Sequence, residues 1–100
     1  MKLVEQINYQ TGSIVSQEIS RKKVGTVTLF AFDKAQGLSE HTAPFDALVY
    51  ILEGIADINI DGKVQRSEAG ELVTMPANTP HALTAVTAFK MLLVMIRSNE

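Results

Sequence analysis

The chain has 100 residues, of which 46% are hydrophobic and 20% charged, and its formal net charge at pH 7 is −2. This length predicts a single domain, residues 1–100, with enough apolar material for a packed core. The absence of cysteine excludes disulfides, thiolate catalysis and zinc-finger sites. The mildly acidic balance argues against nucleic acid as a partner.

The first half of the chain shows strand patterns separated by glycine and proline. The basic run Arg21-Lys22-Lys23 is interpreted as a solvated turn between strands. Residues 26–32 are β-branched and aromatic, which predicts a strand. Residues 47–52 are apolar at every position, so we expect a strand that is covered on both faces.

The second half continues the same pattern. Residues 56–60 alternate apolar with polar, and Asp61-Gly62 predicts a tight turn into an exposed return strand at 63–68. The remaining strands are predicted at residues 71–75, 81–86 and 89–96. Helical periodicity is weak throughout, so the sequence predicts an all-β sandwich or barrel with little or no helix.

The last predicted strand, residues 89–96, is apolar on both faces apart from Lys90. One face can line a barrel, and the other needs a second covering layer. A homodimer would supply that layer, and packing inside one monomer is the alternative.

The sequence shows no feature that is typical of a membrane protein. Its longest apolar run, residues 91–96, is too short to span a bilayer. Residues 1–10 lack the continuous apolar stretch of a secretory signal. We therefore expect a cytoplasmic protein with no membrane partner.

Only two histidines are present, His41 and His81, forty positions apart. A single histidine is more often a structural or surface residue than a metal ligand. The acidic residues are mostly isolated in polar segments, and no phosphate-binding loop or nucleophile elbow is present. The sequence therefore identifies no catalytic residue by motif.

Two stretches resemble the two motifs of the cupin superfamily. Residues 40–54 match the first motif around the run Tyr-Ile-Leu-Glu-Gly that ends at Gly54. Residues 70–81 match the second motif in the spacing of Gly70, Pro76 and His81. The resemblance implies a double-stranded β-helix, also called a jelly-roll barrel.

The resemblance also implies where a metal would bind. Cupins that bind metal use two histidines and a glutamate from the first motif and a histidine from the second. His41 and His81 stand at the first and last of these positions, whereas Ala43 and Ala47 stand at the other two. With two of four ligands, the chain is expected to hold at most a weakly bound divalent transition metal.

Asp46 and Glu40 are candidates for a third metal ligand. Strand alternation places both on the face opposite to His41. A bulge at Pro44 would be needed to turn Asp46 back toward the histidines.

The alanines at the ligand positions predict an apolar pocket that contains two imidazoles. Phe45 and Met75 are expected to shape its mouth, with ordinary core packing as the alternative. The predicted pocket residues are His41, His81, Ala43, Ala47, Val49, Ile51, Phe45 and Met75.

Three functions are compatible with this pocket. The first is binding of a small, mainly apolar or carbonyl-bearing molecule without a firmly held metal. The second is an enzyme that uses His41 and His81, either a metal-dependent dioxygenase or isomerase or a metal-free acid–base catalyst. The third is an interaction role as a partner subunit.

Overall fold

The structure, a computed structural model, describes residues 1–98, so the last two residues of the predicted domain lie outside the described residues. Strands make up 62% of the chain and helix 3%, which confirms the all-β prediction. A single 3-10 turn, Leu3–Glu5, precedes the strands in the described part. The strands are β1 Ile14–Lys22, β2 Gly25–Phe32, β3 Gly37–His41, β4 Phe45–Glu53, β5 Ile55–Ile60, β6 Lys63–Glu68, β7 Leu72–Met75, β8 His81–Ala85 and β9 Phe89–Arg97.

The strands form two antiparallel sheets. One sheet has the order β1-β2-β9-β4-β7, and the other has the order β3-β8-β5-β6. Their inner faces pack on each other, which confirms the predicted jelly-roll barrel. Within residues 1–98, no helix has the length and hydropathy needed to cross a membrane.

The hairpin between β5 and β6 turns where the sequence predicts it. Asp61 and Gly62 have φ angles of 52° and 85°. A type I′ turn requires positive φ at both central positions, and its twist matches that of the flanking strands. The amide of Gly62 also donates a hydrogen bond to Asn59 Oδ1 at 3.0 Å.

The main core lies between the two sheets. The rings of Phe32 and Phe89 stack at its centre, with centroids 4.5 Å apart and no exposed surface. Inward-facing side chains of β4, β5, β7, β8 and β9 surround this pair. The buried members are Phe32, Ala47, Val49, Ile51, Ala56, Ile58, Val73, Met75, Leu83, Ala85, Phe89 and Met91.

The outer face of β9 is covered in part by the N-terminal segment of the same chain. Ile7 is buried against Leu29 and Ala31 of β2, with Leu92 at the edge of the cluster. Lys90, which is 8% exposed, donates a hydrogen bond to the Val4 carbonyl at 2.6 Å. The N-terminal segment therefore covers one half of the outer face of β9 within the monomer. The other half, which includes Ile96, stays accessible.

Strands β1 and β3 were not predicted from the sequence. Most side chains of both strands are exposed, so neither strand carries an apolar face that would mark it. The interpretation of Arg21-Lys22-Lys23 as a turn is wrong for its first two residues, which end β1. Only Lys23 belongs to the turn, together with Val24.

The side chain of Asp33 ties the end of β2 to the loop before β1. Its carboxylate accepts hydrogen bonds from the amides of Gly12 at 2.6 Å and Lys34 at 2.9 Å. These two bonds lower the pKa of Asp33 below its usual value, the Gly12 bond most.

We expect Asp33→Asn to lower stability at neutral pH and to lose its effect in acid. A carboxyl group with a depressed native pKa stabilises the fold above its unfolded pKa, and this contribution disappears as the pH falls through the native pKa. Urea unfolding of both proteins at pH 7 and pH 3 would measure the difference. A gap of equal size at both pH values would contradict the assignment.

Candidate functional site

The two histidines meet at one end of the barrel. His41 ends β3 and His81 begins β8, and the two residues are directly paired in the antiparallel ladder. Their rings lie edge to face with centroids 4.4 Å apart, and the two Nε2 atoms are 3.1 Å apart. Residues forty positions apart in the sequence therefore share one site.

Backbone carbonyls determine which ring nitrogen carries the proton. His41 Nδ1 lies 2.8 Å from the Ser39 carbonyl oxygen, and His81 Nδ1 lies 3.1 Å from the Thr79 carbonyl oxygen. A carbonyl oxygen only accepts hydrogen bonds, so each Nδ1 must be the donor. In the neutral rings, each Nε2 then carries a lone pair, and the two lone pairs point toward each other.

The two rings differ in burial. His81 is 7% exposed, whereas His41 is exposed. Burial lowers the pKa of His81 below its usual value, the Thr79 carbonyl opposes this shift, and the charge of His41 adds to it. His81 is therefore a neutral imidazole at pH 7.

An apolar cavity of about 50 Å³ adjoins the histidine pair. This volume suits an ion or a group of a few atoms and lies well below the roughly 300 Å³ at which typical ligand pockets begin. The side chains around it are apolar except for the two imidazoles. They are Leu38, His41, Ala43, Ala47, Met75, His81, Leu83, Met91, Leu93 and Met95.

Five of these lining residues were predicted and five were not. The cavity includes the predicted residues His41, His81, Ala43, Ala47 and Met75. The missed residues come from β3, β8 and β9. Met91, Leu93 and Met95 alternate along β9, so a predicted pairing of β9 with β4 would have placed them on the same inner face, with Met95 opposite Ala47.

Three predicted pocket residues lie elsewhere. Val49 and Ile51 share the inner face of β4 with Ala47 but are fully buried in the main core, outside the cavity lining. Each two-residue step along a strand advances about 7 Å, so these side chains lie progressively deeper in the barrel than Ala47. Phe45, one step in the other direction, lines a neighbouring groove.

Neither candidate for a third metal ligand joins the histidines. Asp46 is exposed, and its carboxylate accepts a hydrogen bond from the Ala77 amide at 2.9 Å. Glu40 is exposed and does not line the cavity. Within residues 1–98, no three His, Cys, Asp or Glu side chains come close enough to hold a metal. The four-ligand set that the resemblance implies therefore does not fit this chain.

A cationic groove of about 420 Å³ lies beside the cavity. Its lining residues are Arg21, Lys22, Lys23, Gly25, Thr26, Phe45 and Arg97. Phe45 pairs with Arg97 in the sheet, and the next inward-facing pair is Ala47 with Met95, which belongs to the cavity. The groove and the cavity are thus adjacent sites at the same end of the barrel.

Charge and an unsatisfied hydroxyl distinguish this groove. The Arg97 guanidinium lies 5.7 Å from the centre of the Phe45 ring. Arg21 forms an ion pair with Glu18, whereas Lys23 and Arg97 have no ion pair within the described residues. The Thr26 hydroxyl is buried and has no hydrogen-bond partner among the described residues. The groove therefore offers positive charge to an anion.

Comparison with known proteins gives a consistent family. A family model described as a cupin domain matches residues 28–97. A conserved protein of unknown function from Streptococcus pyogenes is 36% identical with a TM-score of 0.95, covering 100% of this chain and 88% of that chain. A cupin 2 conserved barrel domain protein from Leptotrichia buccalis is 39% identical with a TM-score of 0.91, covering 94% and 46% respectively.

A cupin superfamily protein from Desulfitobacterium hafniense has a TM-score of 0.94 at 24% identity, covers 98% of this chain and 90% of that chain, and supports the fold alone. No curated protein matches the chain.

Proposed function

Because this chain belongs to the cupin family and its barrel opens on a cationic groove beside an apolar cavity, we propose that it binds a small organic acid. One observation carries the proposal: Arg97 and Phe45 of the groove adjoin Met95 and Ala47 of the cavity on the same inner face. The carboxylate would lie among the cations of the groove, and the apolar end would point toward the cavity.

The volumes of the groove and the cavity support this placement of the carboxylate and the apolar end of the ligand. The groove, at about 420 Å³, has the size of a small-molecule site, whereas the cavity of about 50 Å³ accepts only a small group. Arginine binds carboxylates through two parallel hydrogen bonds, which makes Arg97 the strongest anchor in the groove. The aromatic ring of Phe45 would cover the body of the ligand.

The alternative of a metal-dependent dioxygenase or isomerase requires a firmly held divalent ion. Among the described residues, no carboxylate joins the two imidazoles to balance the charge of such an ion. We therefore place binding ahead of catalysis.

The proposal is tested with metal-free protein and matched pairs of probes. Benzoate and hexanoate are compared with benzamide and hexanamide, which keep the shape and lack the charge. We expect the acids to raise the melting temperature and to shift the ring resonances of His41 and His81, and the amides to do neither. Arg97→Gln should weaken acid binding by about tenfold or more, since a charge-assisted hydrogen bond contributes roughly 1.5–3 kcal/mol. Lys63→Gln, on the exposed β5–β6 hairpin, serves as the control.

Two outcomes would contradict organic-acid binding. One is equal binding of the acids and their amides. The other is acid binding that Arg97→Gln leaves unchanged while the variant remains folded.

We further propose that a second copy of the chain covers the open half of the large sheet. Val27, Val94 and Leu48 form an apolar row across β2, β9 and β4 on the outer face. In a neighbouring row, Lys22 stands at one end and Asp46 at the other, through Gly25 and Ile96. A twofold axis parallel to the strands would place Lys22 of each copy opposite Asp46 of the other.

We expect Leu48→Lys to convert a two-chain particle into a single chain. Leu48 lies at the β4 end of the apolar row, and burying two lysines across a twofold interface would be strongly unfavourable. Size-exclusion chromatography with light scattering measures the mass. Val64→Lys, exposed on the other sheet, is the control that should keep two chains. A single-chain mass for the unaltered protein would refute the dimer.

A further inference from the structure

Three of the four methionines of the chain line the same cavity as both of its histidines. Met75 lies on β7 and Met91 and Met95 lie on β9, so they reach the cavity from the sheet opposite the histidines. In the part of the chain that the structure describes, thioether sulfur and imidazole nitrogen are the only side-chain heteroatoms around the cavity. Both are neutral ligands, and thioethers favour soft metal ions.

The register places two of these methionines around the position where the family has its glutamate. Ala47 pairs with Met75 on one side and with Met95 on the other. A methyl group therefore stands where a carboxylate would, between two thioether side chains. At this position the chain has a methyl group between soft, uncharged thioethers, in place of the hard oxygen ligand of the family.

The histidine geometry suits a cation between the rings. With both Nδ1–H groups donating to carbonyls, the two Nε2 atoms, 3.1 Å apart, either share one proton or both present lone pairs to a metal ion. Two nitrogen ligands of one ion, each bonded at about 2.0–2.1 Å, lie roughly 2.8–3.4 Å apart at right-angle to tetrahedral geometry. Metal-binding histidines commonly donate their second ring N–H to a carbonyl in this way.

The charge of the ion follows from the apolar lining. The cost of transferring an ion into an apolar medium rises with the square of its charge, so a divalent ion costs about four times as much as a monovalent one. Among residues 1–98, no carboxylate lines the cavity to offset that cost. A soft monovalent ion fits both the ligands and the charge.

We propose that His41, His81 and the thioethers of Met75 and Met95, which flank Ala47, form a four-ligand binding site for Cu(I). The ion would occupy the cavity and leave the cationic groove free, so this proposal does not depend on organic-acid binding. Binding requires no proton to leave, because neutral imidazole and thioether donate lone pairs that they already carry.

Cu(I) binding is tested by competition with bicinchoninate under anaerobic reducing conditions. The protein should withdraw one Cu(I) per chain from the coloured complex, and Zn(II) should bind far more weakly. Ag(I) serves as an air-stable probe for NMR. One equivalent should shift the ε-methyl signals of cavity methionines and leave that of Met1, which is 84% exposed, unchanged.

Conservative variants separate sulfur ligation from packing. Met75→Leu and Met95→Leu keep side-chain volume, and each should weaken Cu(I) binding by about tenfold or more through loss of a soft ligand. Leu72→Met adds an exposed thioether on β7 and should leave the affinity unchanged. His41→Ala should abolish one-to-one binding.

Three results would overturn the proposal. The first is failure of the protein to withdraw Cu(I) from bicinchoninate. The second is the absence of cavity-methionine shifts with Ag(I), which is decisive even if a variant fails to fold. The third is full Cu(I) affinity in a folded Met75→Leu, Met95→Leu double variant. None of these results bears on organic-acid binding, which is measured without metal through Arg97.

Discussion

Gly54→Ala is expected to destabilise the protein by about 3–5 kcal/mol, a large fraction of the stability of a domain of this size. Gly54 connects β4 to β5 and has a φ of +83°. A methyl group there would lie 2.6 Å from Phe89 Cβ and 2.7 Å from Phe89 Cα, in addition to a clash with the Ala88 carbonyl oxygen. Phe89 is in the central aromatic stack, so the core cannot shift without losing that contact.

Gly62→Ala is the matched control, because it separates backbone strain from steric clash. Gly62 has nearly the same φ, +85°, yet a methyl group there would contact nothing within 4 Å. We expect a loss of about 1–2 kcal/mol from the left-handed backbone alone. Urea unfolding of both variants gives the comparison. Equal losses would show that Phe89 yields at no cost and would contradict the tight packing of the β4–β5 corner.

The strands with a clear apolar face could be predicted from the sequence, and those without one could not. β2, β4, β5 and β9 carry buried side chains in runs or in alternation. β3 is held mainly by its ladder with β8, and four of its five residues are exposed. Its position is set by a partner strand forty or more residues away, and no local pattern records that pairing.

The side of the cavity formed by the histidines and alanines could be predicted from the sequence, and the opposite side could not. The resemblance placed His41, His81, Ala43 and Ala47 together, and these residues do line one cavity. The opposite wall depends on which strand pairs with β4. Since β9 supplies that wall, the sequence presents Met91 and Met95 only as residues of an apolar strand, whereas Met75 was among the predicted pocket residues.

The basic run Arg21-Lys22-Lys23 shows that the local electrostatic field, like the far side of the cavity, could not be predicted from the sequence. Along the sequence, Arg21-Lys22-Lys23 is a group of solvated charges. In the fold, the β1–β2 hairpin brings these residues next to Arg97 from the last strand and Phe45 from the fourth. Four cationic side chains then surround one groove, although the net charge of the whole protein is negative. A local field of this kind depends on topology and cannot be obtained from composition.

Ala43→His combined with Ala47→Glu should convert the cavity into a site for a divalent ion. Both alanines line it beside His41 and His81, so the variant restores the ligand types that the resemblance implies. The new carboxylate offsets the second positive charge. With Zn(II) at about a thousand times the dissociation constant, binding should stabilise the fold by roughly 4 kcal/mol, a rise in melting temperature of about 15–25 °C for a chain of this size.

The same variant without metal should be less stable than the unaltered protein, because Ala47 is 3% exposed and an ionised carboxylate there would be buried without a partner. Ala43→His with Ala47→Gln is the control, since it matches the size of glutamate and lacks its charge. A large Zn(II) effect with glutamate and a small one with glutamine would show that charge, more than ligand count, excludes divalent ions from the natural cavity. Stabilisation of both variants to the same extent would contradict that view and remove the charge argument for a monovalent ion.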